Sequence, residues 1–249
     1  MRVGTRHGGW TVVAGSMAVL VLLASYHLST KSFWYDEAMS LRLARMAPTE
    51  LLAALANREA NGTLYFVALS VWRLLGEGEA RVRFLSVLFM AATVPLLYLV
   101  GRRHVGSLAA GLAVVLFAIN PFVIHYAQEA RMYAMALFLV TLAVLSWSHA
   151  AETDERRWWL VYGLASVTAV YTHFFSGFVL LGIGITWLLG LAPRTRRSIL
   201  TQSAIALAIV PIALFVAGSG GDQISWIGPF SEQALSVVLG SVAAGSLLL

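Results

Sequence analysis

Long apolar stretches separated by short polar ones occupy most of the chain. Trp10–Leu28, Phe84–Val100, Ser107–Val123, Met132–Ala150, Trp158–Thr172, Phe174–Leu191 and Ile199–Ala217 contain no Asp, Glu, Lys or Arg, and a further run begins near Ala234. A run of about 20 apolar residues is what a helix needs to cross roughly 30 Å of hydrocarbon, and a soluble core has no need to repeat it. The pattern predicts an all-α, polytopic transmembrane helical bundle. Trp10–Leu28 follows Arg2 and Arg6, is longer than a signal-peptide core and lacks a small-x-small exit, so it reads as a retained signal anchor.

Composition agrees. The chain is 59% hydrophobic and only 12% charged, with a mean hydropathy of +0.79, far from the balance of soluble domains. The net charge of +5 does not point to nucleic acid, because the basic residues sit in clusters between apolar runs rather than on one basic face. With no cysteine, disulfides and thiolate metal sites are excluded.

Sidedness turns on Thr63–Leu75, an apolar segment interrupted by Arg73. If it does not cross, Arg2, Arg6, Arg102, Arg103, Arg156, Arg157, Arg194, Arg196 and Arg197 share the side of the N-terminus, and the short loops opposite hold only Arg131. The positive-inside bias favours that layout. The chain then reads as one transmembrane domain over 1–249, with a long first outer loop over 29–83 containing juxtamembrane helices. A Gly-rich stretch, Gly218-Ser219-Gly220-Gly221, falls in the last outer loop.

Three polar features stand out. The outer loop opens with Phe33-Trp34-Tyr35-Asp36-Glu37, which fits either an aromatic belt with an acidic helix start or a pair of working carboxylates. His125-Tyr126-Ala127-Gln128-Glu129-Ala130-Arg131-Met132-Tyr133 lies between the third and fourth runs, and helical spacing would put His125 and Glu129 on one face. Ionisable groups at a membrane edge are functional candidates, although a Glu129–Arg131 pair could simply fix a loop. His173, among aromatics after the fifth run, fits a buried hydrogen-bonded imidazole or a ligand.

In the Arg-count layout Asp36, Glu37, Glu129, Arg131 and His173 open on one face. The carboxylates can serve as base or metal ligands and Arg131 can hold a phosphate. Oxygen donors from Asp36, Glu37 and Glu129 would suit Mg²⁺ or Mn²⁺, although no spacing demands a metal. Asn61-Gly62-Thr63 also matches a glycosylation sequon, a triplet common by chance.

Trp34-Tyr35-Asp36-Glu37-Ala38, Leu64-Tyr65-Phe66, Arg81-Val82-Arg83-Phe84-Leu85-Ser86, Pro95-Leu96-Leu97-Tyr98, Gly101-Arg102-Arg103 and Gln128-Glu129-Ala130-Arg131-Met132-Tyr133 follow one another in an order that resembles the GT-C glycosyltransferases. Within them the chain is similar to the family 39, protein mannosyltransferase-like group of bacterial membrane enzymes, from about residue 10 to about residue 190. The resemblance implies a polyprenyl-phosphate-linked sugar as donor and a lipid, glycan or protein acceptor hydroxyl on the outer face. It implies inversion at the anomeric carbon and Asp36 as base.

Glu37, Glu129, Arg131 and His173 are then expected to bind donor phosphate or metal, supported by Tyr35, His125, Gln128 and Tyr133. Where the family often carries a His-Pro-Pro run, this chain has Asn61-Gly62-Thr63, and relatives are usually longer, so an N-terminal fragment is expected. The expected location is the plasma (inner) membrane, multi-pass, with a cytoplasmic N-terminus and the membrane lipids as surroundings. The rival readings are a transporter or lipid-head-group binder, whose cue would be broken spans and charges at midplane, and an inactive homologue acting in an assembly. The middles of the runs hold almost no charge and the polar cluster lies at one rim, which favours the enzyme.

Overall fold

A computed structural model describes residues 5–57, 61–218 and 236, and among the described residues the regular structure is helical. After α1 (Thr5–Ser25) come three short helices, α2 (Tyr35–Ala44), α3 (Pro48–Asn57) and α4 (Thr63–Trp72), the last extended by a 3₁₀ turn over Arg73–Leu75. The bundle continues with α5 (Glu79–Val105), α6 (Ser107–Ile119), α7 (Pro121–Ala127), α8 (Tyr133–Thr153), α9 (Arg156–Thr172), α10 (Ser176–Leu188) and α11 (Arg196–Gly218).

Four helices, α1, α5, α8 and α11, are individually long and apolar enough to cross a membrane, and α6 with α7 passes the same test as a bent pair. The run Ser107–Val123 is therefore not one straight helix. The Asn120 side chain accepts from the backbone N–H groups of Phe122 and Val123, Pro121 follows at the first helical position, and α7 leaves α6 at 59°; cap and proline together restart the helix. The runs Trp158–Thr172 and Phe174–Leu191 become helices of 17 and 13 residues, about 25 and 20 Å long, both shorter than a full crossing. Thr63–Leu75 contains only a 10-residue helix and its 3₁₀ turn. The run near Ala234 and most of the Gly-rich stretch lie outside the described residues.

Lipid-facing and inward-facing residues separate cleanly on α6. Leu108, Leu112, Leu116 and Ile119 are exposed, while Ala110, Val114 and Ala118 are buried against α1 and α5. Small residues let the backbones approach, as membrane helix pairs require: a Cβ on Gly101 of α5 would lie 3.0 Å from the Ala110 Cβ and 3.2 Å from its Cα. Alanines do the same between α8 and α9, where Ala143, Ala150 and Ala165 are buried.

The two ends of the bundle are chemically distinct. At one end Tyr98 meets Trp10, Arg103 contacts His149 at 3.1 Å and forms an ion pair with Glu152. Asp154, in the left-handed region at φ 48°, accepts from Trp159 Nε1 and Thr195 Oγ1 at 2.7 Å each and pairs with Arg197 at 3.1 Å. The basic clusters after α5, α8 and α10 thus gather at one end, as the Arg count predicts. At the other end Gln128 donates to the carbonyls of Ala24 and Tyr26, and Asn61 Oδ1 accepts from Phe174 N–H. The short helices α2 and α4 pack here: Leu41, Leu43, Tyr65, Phe66 and Leu69 share a core with Val82 and Leu85 of α5 and with Ala130 and Met132.

Candidate functional site

The acidic pair stands in the first turn of α2, where carboxylates complement exposed backbone N–H groups. Consecutive helical residues point about 100° apart, and here that angle sends the two carboxylates to different destinies. Glu37 is 1% exposed. It accepts from Arg83 Nε at 2.8 Å and Nη2 at 2.7 Å, from the Ala130 backbone N–H at 2.9 Å and from that of Trp34 at 3.4 Å. Arg83 in turn donates to the carbonyls of Leu28 and Lys31 at 2.8 Å and of Ser32 at 3.2 Å. This saturated, buried cluster ties α2, α5, the segment after α1 and the α7–α8 loop together. Glu37 therefore ties several elements together.

Asp36 faces the other way and stays accessible, with its side chain 35% exposed. One Arg131 nitrogen lies 3.4 Å from its Oδ2, well beyond the 2.7–2.9 Å of a tight charge-assisted bond. The Arg131 guanidinium lies over the Tyr133 ring at 5.8 Å, and Tyr133 contacts His173 at 5.5 Å. His173 stacks on Phe175, whose N–H donates to its Nδ1. Burial, with the Arg131 charge adding to it, holds this imidazole below its ordinary pKa and so neutral at neutral pH. One donor here is buried without a partner, Arg131 Nε, and burial pushes the Tyr65 phenol well above its usual range, with a hydrogen bond to Ser86 opposing it.

Glu37 and Arg83 themselves line a cavity of about 570 Å³, together with Tyr26, Lys31, His125, Gln128 and Glu129 among others. His125 and Glu129 meet at 3.2 Å, as the spacing of four predicts, although α7 ends just before Glu129. Asp36, Arg131, Tyr133 and His173 do not line this cavity. The residues expected to form one site thus occupy one end of the bundle but flank the Glu37–Arg83 tie on two sides. Tyr35, expected as a support, is 76% exposed.

Each carboxylate considered for Mg²⁺ or Mn²⁺ already has a basic neighbour: Asp36 has Arg131, Glu37 has Arg83 and Glu129 has His125. Among the described residues no three His, Asp or Glu side chains come together to hold a metal ion. Sequence reasoning missed Arg83, whose signal was a cation at the mouth of an apolar run. It also missed Tyr65, and the contact of Asn61, which stands where the resemblance expects a His and which joins the turn carrying His173.

A family model described as dolichyl-phosphate-mannose-protein mannosyltransferase matches residues 59–218. No curated protein and no solved structure matches the chain. The matched segment contains Arg83, Glu129, Arg131 and His173, begins later than the resemblance read from the motifs, and leaves Asp36 outside it.

Proposed function

The chain belongs to the dolichyl-phosphate-mannose-protein mannosyltransferase family, which makes it a multi-pass membrane glycosyltransferase of the mannosyltransferase type, and we propose that it moves a sugar from a polyprenyl-phosphate donor to an acceptor hydroxyl with inversion, using Asp36 as base. The observation that carries this reading is the meeting of Asp36 and Arg131 at the end of the bundle opposite the basic clusters. The positive-inside bias puts that end on the outer face of the plasma membrane.

In the proposed reaction the acceptor oxygen attacks C1 of the sugar and its proton passes to the Asp36 carboxylate. The C1–O bond to phosphate breaks on the opposite face, and its electron pair leaves with the phosphate. Arg131 stabilises the charge that builds up there. Phosphate is a good leaving group and needs no acid to protonate it, which accounts for one accessible carboxylate rather than two. His173, held neutral, keeps further positive charge away from Arg131 and leaves an imidazole surface on which the donor can rest.

The test uses the full chain in lipid nanodiscs with a panel of polyprenyl-phosphate sugars and glycan, lipid and peptide acceptors. Transfer by the wild type that disappears in Asp36→Asn, with insertion and thermal stability unchanged, is the expected result. Transfer surviving in that variant would remove Asp36 as base.

A further inference from the structure

The proposed turnover geometry draws Asp36 and Arg131 apart. Attacking and leaving oxygens lie on opposite sides of C1, so the carboxylate is called to one side of the sugar and the guanidinium to the phosphate on the other. Yet they are partners in this ligand-free arrangement.

Two features mark this pair as made to open. It rests on one 3.4 Å contact between part-exposed side chains, whereas Arg83 holds Glu37 through two contacts of 2.8 and 2.7 Å in a buried setting. Furthermore, Arg131 Nε is buried with no acceptor. A buried donor left unmet carries a desolvation penalty, and an anion with several oxygens would remove it. A phosphate offers those oxygens to the guanidinium, whose planar fork matches them.

We propose, on the basis of the transferase reading above, that Arg131 masks Asp36 until the phosphate of the donor takes over its guanidinium. The donor therefore binds before the acceptor, and its arrival creates the base. Arg131 thus has two partners in succession, and acceptor hydroxyls meet an active carboxylate only when a sugar is in place.

The test is a double-mutant cycle on the binding of farnesyl phosphate, a short isoprenyl phosphate, by calorimetry in nanodiscs. Asp36 competes with phosphate for Arg131, so Asp36→Asn should bind farnesyl phosphate about fivefold tighter than wild type, the equivalent of a part-exposed ion pair of about 1 kcal/mol. Arg131→Gln should bind it weakly, and adding Asp36→Asn to Arg131→Gln should bring no further gain. An equal gain in both backgrounds would show plain charge repulsion and overturn the proposal, as would no gain in either. If Arg131→Gln does not fold, Arg131→Lys takes its place, with the coupling reduced but still present.

The transferase reading fails separately. Coupling without sugar transfer by the wild type would leave a phosphate-gated binder. Transfer without coupling would leave an enzyme whose base needs no unmasking.

Discussion

Two ion pairs stand back to back at the start of α2, and they differ in nearly every physical respect. Arg83–Glu37 is buried, doubly bonded and surrounded by backbone partners that use up its remaining donors and acceptors. Arg131–Asp36 is part-exposed, rests on one 3.4 Å contact and includes an Nε that nothing satisfies. A saturated buried pair holds a fold together, because removing one partner strands a charge. An incompletely satisfied pair at the same end is where a ligand has something to gain. Adjacent acidic residues of one motif thus stand in physically opposite settings.

The sharpest way to break this comparison is Asp36→Asn. It should lower kcat by about 10²–10⁴-fold, the usual worth of a positioned base, with no change in the thermal midpoint. A drop in stability like that of an Arg83 variant would erase the distinction between the pairs. Arg83→Met should do the reverse and act on the fold, destabilising the protein by about 3–5 kcal/mol, read as a lower midpoint in detergent. Glu37→Gln should follow it in direction. An Arg83→Met protein with wild-type stability and lost transfer would mean that the buried pair is chemical after all.

Away from the site, Gly101→Val tests whether the bundle beneath both pairs is as closely packed as its Gly101–Ala110 contact indicates. A destabilisation of about 1–3 kcal/mol is expected for such overpacking, and none at all would mean the helices can spread. The smallest effect is reserved for Asp154 at the opposite end. Hydrogen bonds from Thr195 and Trp159, with Arg197 nearby, hold its carboxyl below the ordinary value. A carboxyl so depressed contributes stability above its unfolded pKa of about 4 and loses that contribution as pH falls through the lower folded value. Asp154→Asn should therefore show a flatter decline in thermal midpoint through the acid range below about pH 4 than the wild type.

Much of the fold is legible in the chain because apolar runs and Arg clusters are local signals. The runs mark α1, α5, α8 and α11 within a few residues, and counting arginines brings Asp36, Arg131 and His173 to one end before any coordinates are consulted. Helix ends are less legible. Asn120-Pro121 is a local break inside an otherwise apolar run, and residues after Thr172 and Leu188 leave the helix while remaining apolar. The division between Asp36 and Glu37 was not legible. It depends on Arg83 lying 46 residues away and on the Ala130 N–H lying 93 residues away, and neither distance leaves a mark in the motif itself. Tyr65 was hidden for the same reason, since its burial is set by α5 and the α7–α8 loop.

The reach of Glu37 also sets a schedule for biosynthesis. Its carboxylate leaves the ribosome long before Arg83, and the Ala130 N–H that completes its shell follows 93 residues later, roughly 5–20 s at ordinary elongation rates. Until then the acidic motif has no finished socket to sit in. The start of α2 is thus made well before it can be locked, and Asp36 meets Arg131 only once the α7–α8 loop that carries Arg131 has been made.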